Sequence, residues 1–242
     1  MFNEIENLDD DCQVLLDLLN HKEDSSLSQK ANLINHIYLK DTESQHQLLR
    51  ILLIRYRDYE IDIDGTDGMI FELLLQSDIP AVRAEVAKYF KEGIVQLNSD
   101  CGIDYLPLQK LLLAKRFQEA DTLTHALLCN LSQVLGDHTR QWLYFTDIGK
   151  LPAVDLHTID KLWLVHSGGL FGLSVQKQIW LSANSNWEKF WSKIGWKVNN
   201  VNCRYPQEFV WDVSAPAGHL PLFNQLRGVQ VLAALFNHPA FL

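Results

Sequence analysis

DLHTIDKLWLVHS, residues 155–167, carries the strongest periodic pattern in the chain. Its large side chains recur every three or four positions and share one helical face: Leu156, Ile159, Leu162, Trp163 and His166. Asp155 stands directly before this apolar series and is predicted to cap the helix, with Asp160 in the first turn, where the helix dipole favours a carboxylate. The pattern predicts an amphipathic α-helix.

Similar segments extend from this helix in both directions. Towards the N-terminus, helices are predicted at 12–20, 28–39, 42–56, 69–75, 82–90, 104–117, 117–131 and around 141–147. Towards the C-terminus, they are predicted at 174–181, 186–194 and from about 222 to 236. Strand-like alternation is nowhere sustained. We therefore predict an all-α protein, with an N-terminal helical bundle or short helical stack before a helical core.

Charge and tryptophan are distributed unevenly along the chain. Residues 1–100 contain 9 Lys/Arg and 20 Asp/Glu, whereas residues 101–242 contain 12 and 10. All seven tryptophans lie between Trp142 and Trp211. This asymmetry predicts an acidic helical bundle over 1–97 and a core domain over 98–242. With a net charge of −9, the chain has no basic stripe to neutralise phosphates, so nucleic acid is not an expected partner.

Cysteine spacing and the N-terminus indicate the compartment. The four cysteines form no CxxC pair, which argues against a disulfide framework or a zinc site. MFNEIENLDDD, residues 1–11, is acidic at once, unlike a secretory signal or a transit peptide. No apolar run approaches the ~18 residues that a bilayer requires. We expect a soluble protein without a transmembrane segment that acts where it is made.

Catalytic and metal-binding motifs are missing from the sequence. The nine histidines show no ligand spacing, and His157 and His166 fall on opposite faces of one predicted helix. GGLFG, residues 168–172, lacks the preceding strand and the Gly-Lys-Ser/Thr ending of a phosphate loop. GxSxG is also absent. We therefore predict a protein that is not an enzyme and has no metal site.

Residues 195–221 form a predicted irregular loop, because three prolines and Gly218 oppose regular structure there. Its aromatic residues are Trp196, Tyr205, Phe209 and Trp211. Such a long loop is usually functional or disordered, and this one is too apolar for disorder. Rings could cover a flat apolar ligand while Arg204 and Arg227 pair with carboxylates at its edge. Alternatively, the rings only tie the loop to the core. The residues alone leave both readings open.

Six segments between residues 102 and 229 are long and unusual: GIDYLPLQ (102–109), RQWLYFTDI (140–148), LPAVDLHTIDKLW (151–163), SGGLFGLSVQ (167–176), KIGWK (193–197) and SAPAGHLPLFNQLRGV (214–229). They resemble the genomes-uncoupled family of tetrapyrrole-binding regulators of magnesium chelatase. The resemblance runs nearly continuously over residues 102–238. It implies an all-helical core shaped like a cupped hand, which binds protoporphyrin IX and its magnesium derivative and activates magnesium chelatase without catalysis.

The resemblance also implies a ligand pocket formed by Phe145, Ile148, Arg204, Tyr205, Phe209, Asn224 and Arg227. In it, the rings and Ile148 cover the macrocycle, Arg227 and Arg204 pair with propionates, and Asn224 holds a water near the metal. Trp196 and Trp211 are expected to anchor the loop rather than contact the ligand. The chain has Gln230 where relatives have arginine, and Asn202 and Tyr205 where they have tryptophan. We expect these departures to alter affinity rather than ligand class.

The same resemblance implies the partner and the location. The partner is the large porphyrin-binding subunit of magnesium chelatase, and the porphyrins are ligands rather than catalytic cofactors. We expect a monomer in the cyanobacterial cytoplasm or plastid stroma, with peripheral association at thylakoid or envelope membranes. Two alternatives stay open: a helical interaction scaffold with a degraded pocket, and a sensor that binds haem or a linear bilin.

Overall fold

A computed structural model describes residues 8–20, 27–57, 62–136, 138–222 and 229–241. The chain divides into two compact units, residues 1–94 and 95–242. Within the described ranges the regular structure is helical except for one short hairpin, which confirms the all-α prediction. No helix in these ranges is long and apolar enough to cross a membrane.

The first unit is a stack of helices that follow one another in space as they do along the chain. The described helices are α1 (Asp10–Asn20), α2 (Leu27–Lys40), α3 (Thr42–Arg57), α4 (Gly65–Leu75) and α5 (Pro80–Tyr89). Each helix contacts the next one and the next but one. Buried leucines and isoleucines from successive helices, such as Leu15, Ile34 and Leu52, therefore form one continuous core.

A buried ion pair joins α3 to α4. The Arg55 guanidinium donates to both carboxylate oxygens of Asp67, at 2.6 and 2.9 Å, and to Asn20 Oδ1 at 3.0 Å. The Asp67 carboxylate also accepts the backbone N–H of Asp64, at the start of α4. Both charges are buried, and each has several hydrogen-bond partners, as burial of an ion pair requires.

The second unit contains the helices α6 (Leu106–Leu113), α7 (Phe117–Gly136), α8 (Phe145–Ile148), α9 (Ala153–His166), α10 (Leu173–Ser182), α11 (Trp187–Lys193) and α12 (Gln230–Phe236). A 3-10 turn, Pro239–Phe241, follows α12. Trp163 lies at the centre, stacked on Phe117 at 6.0 Å, with its indole N–H donated to Thr124 Oγ1 at 3.0 Å. The periodic helix at 155–167 is thus the core helix α9.

The two acidic residues of α9 have different roles from those predicted. The helix begins at Ala153 with Pro152 at the cap, so Asp155 is not the cap and lies in the first turn. It is buried and accepts the Tyr105 hydroxyl at 2.7 Å. Asp160 lies in mid-helix, not in the first turn, and accepts the N–H of Ser174 at the start of α10. Burial raises the pKa of Asp160.

Three other local predictions also change. Around 141–147 only Phe145–Ile148 is helical, and Trp142 is 39% exposed in the preceding loop. A hairpin joins β1 (Lys197–Val198) to β2 (Val201–Asn202) through two asparagines with positive φ, a backbone state that asparagine tolerates. Leu222 is not helical; α12 begins at Gln230, and residues 223–228 lie outside the described ranges.

Candidate functional site

The aromatic loop, defined as residues 203–211, is built from three rings in mutual contact. The Tyr205 ring meets the Trp211 ring edge-on at 5.9 Å and lies 6.4 Å from the Phe209 ring, while Phe209 and Trp211 are 6.3 Å apart. Phe209 is buried, whereas Tyr205 is 54% exposed. The loop therefore presents one aromatic ring to solvent and uses the other two to support it.

Short-range hydrogen bonds close the backbone of the aromatic loop. The N–H of Arg204 donates to the Glu208 carboxylate at 2.7 Å, and the N–H of Glu208 donates to the Arg204 carbonyl at 3.0 Å. The Trp211 indole N–H donates to the Pro206 carbonyl at 3.0 Å. Because these bonds span only a few residues, they hold the exposed side chains of Arg204 and Tyr205 on a tight turn.

The loop base, defined as residues 216–222, is fixed against α10. The Gln176 amide donates to the carbonyls of Gly218 and Pro221, at 3.0 and 2.7 Å, and the N–H of Gly218 donates to the Leu170 carbonyl at 2.7 Å. Gly218 has φ +75°, and a Cβ there would lie 2.8 Å from Ile179 Cδ1. The positive φ therefore favours glycine where the base approaches α10.

His219 connects the loop base to the aromatic loop. Its Nδ1 lies 2.6 Å from the Ile194 carbonyl, and its Nε2 accepts the N–H of Val210 at 3.1 Å. Its ring lies 5.5 Å from the Phe209 ring. The His219 carbonyl accepts the Trp196 indole N–H at 2.7 Å, so Trp196 is a buried anchor, as expected. Burial lowers the pKa of His219.

Two neighbouring residues of α7 contact this region. Thr122 Oγ1 lies 3.5 Å from the Tyr205 hydroxyl, and Asp121 Oδ1 accepts the N–H of Leu222 at 2.6 Å. Asp121 is buried, and burial raises the pKa of its carboxyl to about 7. The first turns of α7 therefore hold the end of the loop base through Asp121 and lie beside the aromatic loop at Thr122.

Helix α8 lies against α7 and α12 and carries the other predicted ligand contacts. Ile148 is fully buried, whereas Phe145 is 50% exposed. The Arg140 guanidinium pairs with both oxygens of the Asp147 carboxylate, at 3.1 and 3.2 Å, and its carbon lies 4.6 Å from the Tyr144 ring centre. This ion pair fixes the approach to α8 and leaves the Phe145 ring accessible.

The predicted site residues fall into three groups. Arg204, Tyr205 and Phe209 share the aromatic loop; Phe145 and Ile148 share α8. Both elements contact α7. Asn224 and Arg227 lie outside the described residues. Their joint role as a ligand site stays a prediction.

Sequence reasoning did not single out two exposed rings beside Phe145, those of Trp142 and Tyr144. A signal for them was present: RQWLYFTD, residues 140–147, has four large apolar residues in succession, and one helical face cannot bury all four. Within the described ranges, no three His, Cys, Asp or Glu side chains are grouped as a metal site.

Comparison with known proteins identifies the family. A family model described as GUN4-like matches residues 98–239. "Uncharacterized protein ycf53" of Pyropia yezoensis is 45% identical over 227 residues, covering 94% of this chain and 95% of that protein. "Tetrapyrrole-binding protein, chloroplastic" of Arabidopsis thaliana is 38% identical over 143 residues, 55% of this chain and 54% of that protein. The solved structure of GUN4 from Chlamydomonas reinhardtii is 40% identical with a TM-score of 0.55, covering 61% of this chain and 96% of that one. The family model spans more than half of the chain, and the Pyropia relative aligns with nearly all of it. The resemblance seen in the sequence is thereby confirmed, and the chain belongs to the GUN4-like family.

Proposed function

We propose that the chain binds protoporphyrin IX and Mg-protoporphyrin IX and activates magnesium chelatase, without catalysis of its own. The name of the Arabidopsis relative supports the ligand class. The observation that carries the proposal is the exposed Tyr205 ring, held beside Arg204 on a braced turn. A ring that is rigid before binding loses little conformational freedom when a flat ligand covers it.

The exposed side chains of Tyr205, Phe145 and Arg204 have specific parts in this proposal. The rings of Tyr205 and Phe145 would cover macrocycle faces, and Arg204 would pair with a propionate. Asn224 and Arg227 keep the roles that the family resemblance implies. Burying a few hundred Å² of porphyrin at about 25 cal/mol/Å² releases roughly 8–12 kcal/mol, and association removes several kcal/mol of this. The remainder corresponds to roughly micromolar or tighter binding.

The proposal includes a partner and a place of action. The partner is the large porphyrin-binding subunit of magnesium chelatase, which would receive porphyrin from the core domain at 98–242. The acidic bundle at 1–97 would accompany this core in a monomer. A relative named chloroplastic supports action in a plastid stroma. The cyanobacterial cytoplasm is the other proposed location, and in both the chain would associate peripherally with membranes.

Titration with protoporphyrin IX, followed by tryptophan quenching and the Soret band, tests ligand binding. We expect saturable binding, and Tyr205→Ala should raise Kd roughly threefold to tenfold because one aromatic contact is lost. Tyr89→Ala is the matched control, since Tyr89 is an exposed tyrosine with cations over its ring in the first unit. A wild-type protein without a saturable Soret shift would refute the proposal. Haem and a bilin in the same assay test the sensor alternative.

A reconstituted magnesium chelatase assay tests activation. Wild-type chain should increase the rate of magnesium insertion and copurify with the large subunit, and Tyr205→Ala should need more protein for the same stimulation. If wild type binds porphyrin with no effect on that rate, the activation part is wrong and the sensor alternative is favoured.

A further inference from the structure

His219 has a hydrogen-bond arrangement that only one state of the imidazole can make. The Ile194 carbonyl can only accept, so Nδ1 must carry a proton. The Val210 N–H can only donate, so Nε2 must carry a lone pair. Both bonds together require the neutral ring with its proton on Nδ1. A protonated ring would turn Nε2 into a donor facing another donor.

The segments around His219 are held in place by contacts that do not involve Phe209 or Val210 of the aromatic loop. The Gln176 amide holds the base on one side of the ring, and Trp196 binds the His219 carbonyl. Gly195 has φ +72°, and a Cβ added there would lie 3.4 Å from His219 Nδ1, so the lack of a side chain lets the turn after α11 pack close to the ring. Val210 and Phe209 are the parts of the aromatic loop that touch the ring. The ring therefore fastens the loop to a fixed base.

No charged group is among the contacts described for the ring, which meets backbone atoms of Ile194 and Val210, the Phe209 ring and the Gly195 turn. Three titratable side chains on the packed segments have other partners. Lys193 bonds the Ser182 hydroxyl, Glu208 accepts the Arg204 N–H, and the Cys203 thiol donates to the Gly195 carbonyl. Burial and backbone hydrogen bonds thus set the protonation state of His219.

We propose that His219 is a positioning residue for ligand binding: its neutral imidazole fastens the aromatic loop through Val210, and protonation of Nε2 releases the loop and weakens tetrapyrrole binding. This inference rests on the proposed function, since the loop carries Tyr205 and Arg204. His219 itself does not contact the ligand. The effect makes affinity depend on pH below the usual range of histidine titration, because burial favours the neutral ring.

Two substitutions separate the two ring nitrogens. His219→Asn places an amide near Nδ1, so it can still donate to Ile194 but cannot reach Val210. His219→Gln places a carbonyl oxygen near Nε2, so it can still accept from Val210. We expect His219→Asn to weaken protoporphyrin binding about fivefold to tenfold, the loss of about one hydrogen bond. His219→Gln should stay within about twofold of wild type.

Hydrogen exchange of the Val210 amide gives a readout that needs no porphyrin. In wild type this amide should be protected at pH 7.5 and lose protection below pH 6, relative to the intrinsic rate at each pH. Porphyrin affinity should fall in the same pH interval in wild type and less in His219→Gln, whose side chain does not titrate. His219→Asn should lack protection at both pH values.

The outcomes distinguish failure of this inference from failure of the proposed function. Porphyrin binding that ignores pH and His219→Asn overturns the inference and leaves the proposed function intact. Equal losses of affinity in both variants, in proportion to losses of melting temperature, assign His219 a structural role only. Wild type that never binds porphyrin overturns the proposed function, and pH-independent protection of Val210 overturns the fastening of the loop by itself.

Discussion

The buried carboxyl of Asp121 gives a prediction whose sign and size follow from the structure. Burial raises its pKa from 3.8 to about 7, with one hydrogen bond, from the N–H of Leu222, opposing the rise. The folded chain therefore binds this proton more tightly than the unfolded chain. Stability that is present below pH 4 is lost as the pH rises to 7. A rise of about three pKa units corresponds to about 4 kcal/mol.

Asp121→Asn removes this titration and keeps an oxygen that can accept from Leu222. We expect the variant to match wild type near pH 4 and to be more stable by up to about 4 kcal/mol at pH 8. Urea unfolding followed by tryptophan fluorescence measures the difference in the second unit alone, because the first unit has no tryptophan.

Glu119→Gln is the control for Asp121→Asn, since Glu119 is an exposed acid two residues earlier on the same helix, paired with Arg116. It should leave the stability close to that of wild type at every pH, because solvent screens a surface ion pair. Stability curves of wild type and Asp121→Asn that stay parallel from pH 4 to 8 would contradict this prediction. They would mean that Asp121 titrates alike in the folded and unfolded chains.

Three further substitutions test contacts within each unit. Asp67→Asn leaves the buried arginine of the α3–α4 ion pair without a carboxylate, and should reduce first-unit stability by roughly 3–5 kcal/mol in urea unfolding followed by circular dichroism. Gly218→Ala places a Cβ 2.8 Å from Ile179 at positive φ, and should reduce second-unit stability by roughly 1–3 kcal/mol; unchanged tryptophan-detected unfolding would contradict this. Tyr105→Phe removes the hydroxyl that donates to Asp155, and should reduce the stability of the second unit by about 1–2 kcal/mol in thermal melting.

Helical periodicity located most of the helices because one buried face imposes its spacing on the sequence. The series from Leu156 to His166 is buried in α9 as predicted. Periodicity did not predict the role of Asp155. Its position suggested a local cap, but its partners Ser99, Asp100 and Tyr105 lie 50 to 56 residues earlier in the chain. The residues next to Asp155 in the sequence do not indicate contacts over such a separation.

The sequence indicated which types of residue the candidate site contains, but not how they pack against one another. Tyr205 and Phe209 could be recognised as aromatic residues of an irregular loop, and they lie in mutual contact. The sequence did not indicate which of the two rings is buried and which is exposed, because this depends on which ring packs against the loop base. His219 was hidden for the same reason: its importance comes from Ile194 and Val210, which surround it only after folding.

The Gln176 side-chain amide donates to two carbonyls that are three residues apart, those of Gly218 and Pro221. Both hydrogen bonds can form only if the number of residues between these two carbonyls is kept. An insertion or deletion between residues 218 and 221 would move one carbonyl away from the amide, so relatives should keep the spacing here. The hairpin turn at residues 199 and 200 is exposed and has no such tie, so length variation between relatives should collect there.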